Sequence, residues 1–366
     1  MKYYVQEIAK NYLRNLTSEP DLIDVHPHYL HGLDISEFTG GFLTLHRLVR
    51  SMYTDIISDP GDFGMPLIEA VDENPKSVEY TKSHDGFKRV PHLLLILGAF
   101  GSVDVDLTLS IGGVDLIAAA KKMKIVKMPE LLEKLTNYGF VVSGYVKTVK
   151  DGDVLSVGYP DCRALIAALK SMAEAQRSIG KGKLEHSNTF FYMMMPEILA
   201  SQPATEPILR FENMYSALNA HNRDVAKVFD DCVVGKTKSK FKTLDFMRNR
   251  WTGSYTGVKS KKALLTMRAE QDNLIVKLNL ESINDYMGVV MGLPEQLRVD
   301  IRDNAWPCNK ESCNPKCVGG FVFDMDGKTY NKCRGGAFSF TNVSDDDAAH
   351  LRTLLELEMA ARREVS

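Results

Sequence analysis

The sequence predicts a multidomain α+β protein, and three observations lead there. First, 366 residues are more than one ordinary core accommodates. Second, helical patterns between residues 92 and 176 enclose a β-type hairpin. Third, two runs of alternating apolar and polar residues near 262–280 precede a cysteine-rich segment and a closing helix. A hydrophobic fraction of 44% and a charged fraction of 25% exclude a disordered, collagenous or coiled-coil chain. Forty-five basic residues against 47 acidic ones leave a net charge of -2, so any nucleic-acid surface must be a local patch.

The first ninety residues read as helices with polar connections. Leu43, Leu45, Leu48, Val49, Met52 and Ile56 form a helical stripe, which Asp59-Pro60-Gly61 breaks. The start, Met1 to Lys10, is amphipathic and lacks a signal-peptide core. The longest apolar run, His92 to Phe100, is half the length of a membrane span. A cytoplasmic protein without a membrane partner is therefore expected. His26, His28 and His31 lie close together in a Pro-containing loop, with Asp34 as a fourth candidate metal donor. Surface decoration is the commoner reading of such a triplet.

The region 92–176 has the clearest order of elements. Helices are expected at about 92–100 and 113–122, and a third begins with Pro129 in its first turn and stops before Gly139. Phe140 to Val146 and Val154 to Tyr159 follow as strands around Asp151-Gly152, and a further helix opens after Pro160 with Ala164, Leu165, Ile166, Ala168, Leu169 and Met172 on its apolar face. This order resembles a winged helix-turn-helix, with Leu131 to Val141 as the end of a recognition helix entering its wing. The resemblance implies a fold often used for DNA binding and also used as a plain interaction module. Lys121, Lys122, Lys124, Lys127, Lys134, Lys147 and Lys150 outnumber Asp115, Glu130 and Glu133 here, and they stand where a winged helix would touch phosphates. The plain alternative is a solvated face, since no Arg or Gln on the third helix could read a base edge.

Residues 181–245 read as a helical connector, with helical patterns at 207–230 and a basic stretch through Lys236, Lys238, Lys240 and Lys242. That stretch is expected to be a linker rather than a backbone-tracking segment. From 246 to 366 an α+β domain is predicted: strands at 262–269 and 273–280, helices near 283–291 and 294–302, and a last helix capped by Ser344. Its small sheet with helices resembles the α+β effector domains of ligand-responsive bacterial regulators. Trp251, Tyr255, Glu270 and Tyr286 could line a pocket for an organic cation or aromatic molecule, against the simpler reading of core and rim aromatics.

Four of the six cysteines, Cys308, Cys313, Cys317 and Cys333, gather in one segment, whereas Cys162 and Cys232 stand alone in helical patterns. Phe321-Val322-Phe323 and Lys328-Thr329-Tyr330 flank Asp326-Gly327, a hairpin signal that would carry Cys333 back to the first three. Four thiolates so gathered suit a tetrahedral structural Zn²⁺, and the segment resembles a zinc ribbon. Free thiols and an iron–sulfur cluster are the alternatives.

No nucleophile elbow, zinc-protease helix, phosphate loop or dinucleotide fingerprint is present. The leading expectation is a DNA-binding transcriptional regulator, able to form a homodimer, with a zinc-stabilised C-terminal domain sensing a small-molecule effector. The alternative is a small-molecule-binding protein or enzyme in which the winged-helix-like module at 92–180 only packs domains together.

Overall fold

The computed structural model describes residues 2–17, 19–20, 23–71, 77–179, 184, 189–202, 214, 218–234, 237–243, 251–270, 273–308, 320–333 and 338–364. The chain divides into two compact units, Met1–Ile208 with Phe246–Asn249, and Leu209–Asp245 with Arg250–Ser366. Both are built from helices and small antiparallel sheets, so the chain is of mixed α+β type. No helix among the described residues is long and apolar enough to cross a membrane.

The first unit runs α1 (Tyr4–Asn15), α2 (Ile35–Ser58), α3 (Val78–Phe87), α4 (Arg89–Phe100), β1 (Ser102–Val103), β2 (Leu109–Gly112), α5 (Gly113–Lys122), α6 (Met128–Thr136), β3 (Val141–Ser143), β4 (Val154–Gly158), α7 (Ala164–Ile179) and α8 (Thr189–Tyr192). Helix α4 is buried from Val90 to Ala99, which its apolar circumference requires, and it packs on α7. On α2 the expected stripe is buried at Leu45, Leu48, Val49, Met52 and Ile56, against α1 and α7. The apolar face expected on α7 is buried at Leu165, Ile166, Ala168, Leu169 and Met172.

The strands form one antiparallel sheet in the order β1-β2-β4-β3. Strand β2, between α4 and α5, pairs with β4 (Leu109↔Val157, Ile111↔Leu155), and β3 pairs with β4 on its other side (Val142↔Val157). Leu109, Ile111, Leu155 and Val157 are buried. Helix α6 starts with Pro129 in its first turn, and beyond its end Gly139 takes φ +91°, where a side chain would be strained and would crowd the Tyr159 ring.

The second unit comprises α9 (Ala220–Val233), β5 (Thr237–Thr243), β6 (Trp251–Gly257), β7 (Ala263–Glu270), β8 (Asn273–Leu278), α10 (Met287–Met291), α11 (Glu295–Asp303), β9 (Phe321–Met325), β10 (Lys328–Lys332), β11 (Phe338–Thr341) and α12 (Asp345–Ala361). Five strands form an antiparallel sheet in the order β11-β8-β7-β6-β5. On one face Trp251, Tyr255, Leu265, Met267, Val276 and Phe340 are buried, and α12, which also packs on α9, lies against β7. On the other face no described position is buried: Thr252, Ser254 and Thr256 alternate with the core residues of β6, and Ile275 and Lys277 with those of β8. Ser344 caps α12 with a capping box to Asp347, as the sequence implies.

One expectation is corrected. The basic stretch expected as a linker forms β5, in register with β6 from Thr237↔Gly257 to Thr243↔Trp251. Lysines alternating with small residues have strand periodicity, and a paired neighbour outweighs the loop-like composition. Of the helical patterns expected at 207–230, α9 supplies Ala220–Val233, and residues 203–213 and 215–217 lie outside the described residues.

Candidate functional site

The α5–α6 turn and the β3–β4 connection carry the predicted lysines. Lys121, Lys122, Lys124 and Lys127 are exposed at the end of α5 and in the turn, where Lys124 and Lys127 both take left-handed φ. Lys124 reaches Asp85 at 3.5 Å, a surface pair that is screened and weak. Lys147 and Lys150 are exposed beside Val146, itself 93% exposed at the projecting β3–β4 connection. Asp153 accepts the Lys150 amide at 2.7 Å and closes the Asp151-Gly152 turn.

Lys134 departs from this group. It pairs with Asp62, lies over the Phe63 ring at 4.9 Å, and its side chain is 16% exposed. One turn further, the Tyr138 hydroxyl donates to Asp55 at 2.7 Å. These contacts hold one side of α6 against α2 and the turn after it, while Leu131, Leu132 and Leu135 are buried. The exposed residues of α6 and its C-cap are Glu130, Glu133, Thr136 and Asn137. Glu130 and Glu133 give this exposed face two carboxylates and no cation, so it offers a phosphate backbone no attraction.

In the second unit, Cys308 and Cys333 are described; Cys313 and Cys317 lie outside the described residues. A β-bridge joins Pro307 to Lys332, with the Cys308 amide donating to Asn331 at 3.0 Å and the Cys333 amide to Trp306 at 2.8 Å. This antiparallel register puts Trp306 opposite Cys333, and Cys308 on the same face as both. Gly320 is pressed against them: a Cβ there would stand 2.7 Å from that of Cys308 and closer still to the Lys332 carbonyl. The chain therefore leaves at Cys308 and returns at Gly320 to the same spot. The expected hairpin is present, β9 pairing with β10 from Met325↔Lys328 to Phe321↔Lys332. Two thiols on one face beside a glycine-only approach suit two ligands of a four-thiolate Zn²⁺ site. Lys332, 7% exposed, donates to the Arg302 and Ala305 carbonyls and fixes the end of α11 beside this ladder.

Among the described residues no three His, Cys, Asp or Glu converge as metal ligands. His26, His28, His31 and Asp34 form no such group in this structure. His26 Nδ1 accepts the His28 amide at 3.2 Å, and Asp34 caps α2 through the Glu37 amide at 2.8 Å, so both donors serve the local backbone.

The aromatic ligand candidates are core residues: Trp251, Tyr255 and Tyr286 are 1%, 2% and 6% exposed. The Tyr255 hydroxyl donates to Asp230, and that of Tyr286 to Glu358. Glu270 ends β7 opposite Asn273, on the sheet face away from Trp251 and Tyr255. The register thus does not bring the carboxylate and these aromatics together. Two partners escaped the sequence reading. Asp62 is separated from Lys134 by 72 positions and has no local signal; the pair Gly319-Gly320 ahead of β9 could have flagged the close approach at Cys308. No protein-family model, curated protein or solved structure matches this chain.

Proposed function

We propose that the first unit is a DNA-binding module of winged-helix type, acting in regulation, that holds the phosphate backbone without reading bases. The observation that carries this reading is the strand order β2-β4-β3 combined with α4, β2, α5, α6, β3 and β4 in chain order. Strand β1 extends this sheet beyond β2; the three strands β2-β4-β3 with three helices and a projecting β3–β4 connection resemble the arrangement of a winged helix. Lys147 and Lys150 on the wing and Lys121, Lys122, Lys124 and Lys127 at the helix turn supply its cations; Lys134 is held by Asp62. Glu130 and Glu133 keep α6 out of the groove, so the contacts give affinity and no sequence choice. These two carboxylates also favour a second reading, in which α6 docks a basic protein partner.

Fluorescence anisotropy with labelled duplex DNA separates the two readings. Affinity is expected to fall steeply between about 50 and 200 mM salt. Lys147→Glu with Lys150→Glu should weaken binding by about tenfold or more and flatten the log–log salt slope by about two. Absence of binding at low salt, or binding indifferent to salt, excludes the DNA reading.

The second unit is proposed to carry a structural Zn²⁺ on Cys308, Cys313, Cys317 and Cys333. The ion would tie Cys308 to Cys333 and would do no chemistry, since four thiolates leave no open position. Trp306, 70% exposed and opposite Cys333, reports on this site, whereas Trp251 is 1% exposed. Cys313→Ser is expected to release one zinc per chain and to shift the Trp306 emission while leaving that of Trp251 in place. A native protein without bound metal by elemental analysis removes this proposal.

A further inference from the structure

One cavity of the first unit is lined by two opposite charges that neither reading above uses. Its volume is about 490 Å³, within the range of about 300–1,000 Å³ typical of small-ligand sites. One wall is the sheet: Ser143 and Ser156 stand opposite each other in register, on the face turned away from the buried Leu155 and Val157. Asp106, Leu107 and Thr108 come from the turn between β1 and β2, and Tyr159 and Arg163 from the chain between β4 and α7. A second cavity, of about 660 Å³, shares Leu107 and Arg163 with the first and adds Leu33 and Leu43.

The wall residues are held in place by their own backbone. The Asp104 carboxylate accepts the amides of Asp106 at 3.0 Å and Thr108 at 2.9 Å, which sets Leu107 at φ +56°, a left-handed conformation that leucine rarely adopts. The Tyr159 ring meets that of Phe140 edge-on at 5.2 Å and lies against Gly139, where a Cβ would come within 3.2 Å of it. The Cys162 amide donates to the Tyr159 carbonyl at 3.2 Å, and the Ile166 amide to that of Arg163 at 3.0 Å, so Arg163 stands in the turn that opens α7. Preformed walls spare a ligand the cost of ordering them.

Serines on the outer face of an antiparallel sheet need no ligand to explain them. The two charges are another matter. Arg163 and Asp106 line the same cavity, yet no salt bridge joins them, and neither side chain engages any other described residue. A plain anion on Arg163 would face Asp106, and a plain cation on Asp106 would face Arg163. A ligand that carries both charges satisfies both, and a carboxylate fits the planar guanidinium through two parallel hydrogen bonds. Beside the charges, the Tyr159 ring and Leu107 offer apolar contact, with room beyond Leu107 in the second cavity.

We propose that this cavity binds a free amino acid with a large apolar side chain, its carboxylate on Arg163, its ammonium on Asp106 and its side chain along Tyr159 and Leu107. The site rests on neither the DNA-binding nor the zinc reading, because none of these side chains takes part in either.

Isothermal titration calorimetry of the full-length protein with L-phenylalanine, L-leucine, 3-phenylpropanoate and phenethylamine tests the site. L-Phenylalanine is expected to bind with a Kd of about 1 mM or tighter, the range open to so small a ligand. The two analogues that lack one charge should bind about tenfold more weakly. Arg163→Gln and Asp106→Asn should each weaken L-phenylalanine about tenfold. The urea midpoint should stay in place in both variants, because both side chains are exposed. Arg163→Gln should leave phenethylamine binding undiminished, and Asp106→Asn should do the same for 3-phenylpropanoate, a crossed pattern that damage to the fold would not give. No binding of either amino acid at about 10 mM overturns the proposal. Binding of 3-phenylpropanoate as tight as that of L-phenylalanine overturns it in favour of a simple anion site. Unchanged L-phenylalanine affinity in either variant overturns it as well, since the amino acid would then be held elsewhere.

Discussion

Replacing Glu358 by leucine is expected to cost the second unit about 3–5 kcal/mol, the penalty for stranding a buried partner of an ion pair. Glu358 is 0% exposed and lies on α12. It accepts from the Arg362 guanidinium at 2.6 Å, from the Ser282 amide at 3.1 Å and from the Tyr286 hydroxyl. Arg362 in turn donates to the carbonyls of Ala263 at 3.1 Å and Asn279 at 2.6 Å, which tie α12 to the start of β7 and the chain after β8. With leucine at 358, the guanidinium, whose side chain is 7% exposed, keeps its charge and loses its counterion. The paired replacement Glu358→Leu with Arg362→Leu removes the stranded charge and should cost clearly less than the sum of the single losses. Urea unfolding followed by Trp251 emission reads this unit, because both tryptophans lie in it. A cost below about 1 kcal/mol, the level of an exposed pair, would show that α12 is not held by this lock.

What the sequence made legible was local. Ser344 with three following aspartates, Pro129 ahead of α6, Gly139 behind it and Asp326-Gly327 between β9 and β10 each mark a boundary through the conformation of one or two residues. Such signals survive any tertiary context. Strand β2 was missed because four residues between two helices are too few for an alternation to register. Strand β6 (Trp251–Gly257) was missed because Thr, Gly and Ser look like turn material, although its buried and half-buried positions alternate without a break. The candidate sites followed the same division. The exposed lysines of the β3–β4 connection could be read from their place in a hairpin, whereas the capture of Lys134 by Asp62 depends on how α6 meets the turn after α2.

Acid is expected to destabilise the first unit as the pH falls from about 6.5 to 5, before most carboxylates are protonated. His84 and His92 are 4% and 8% exposed. Burial, reinforced by the charges of Lys88 and of the neighbouring His92, pushes His84 down to about 3. Burial and Lys88 push His92 down to about 4, partly offset by the Met123 carbonyl at 3.3 Å and by Asp85. Burial also lowers His46, whose ring lies 2.6 Å from the Thr17 carbonyl. An unfolded histidine takes up its proton near pH 6.5, so between that pH and the lowered native value the unfolded chain binds more protons. The stabilising contribution is complete above about pH 6.5 and is lost as the pH falls through this window. At about 1.4 kcal/mol per histidine per pH unit, His84 and His92 together remove about 4 kcal/mol by pH 5. His84 packs beside Tyr12 and Tyr80 and meets the Tyr12 hydroxyl at 3.2 Å, so His84→Phe preserves the ring and gives up that hydrogen bond. The variant should start about 1–2 kcal/mol less stable at pH 7.5 and lose stability about half as steeply on acidification. Near-ultraviolet dichroism of the tyrosines, read in urea at several pH values, follows the first unit, where Tyr12, Tyr53 and Tyr192 are buried together. A native protein equally stable at pH 7.5 and pH 5 would mean that these imidazoles reach water before the unit unfolds, and the packing of α3 and α4 around them would have to be looser than their burial implies.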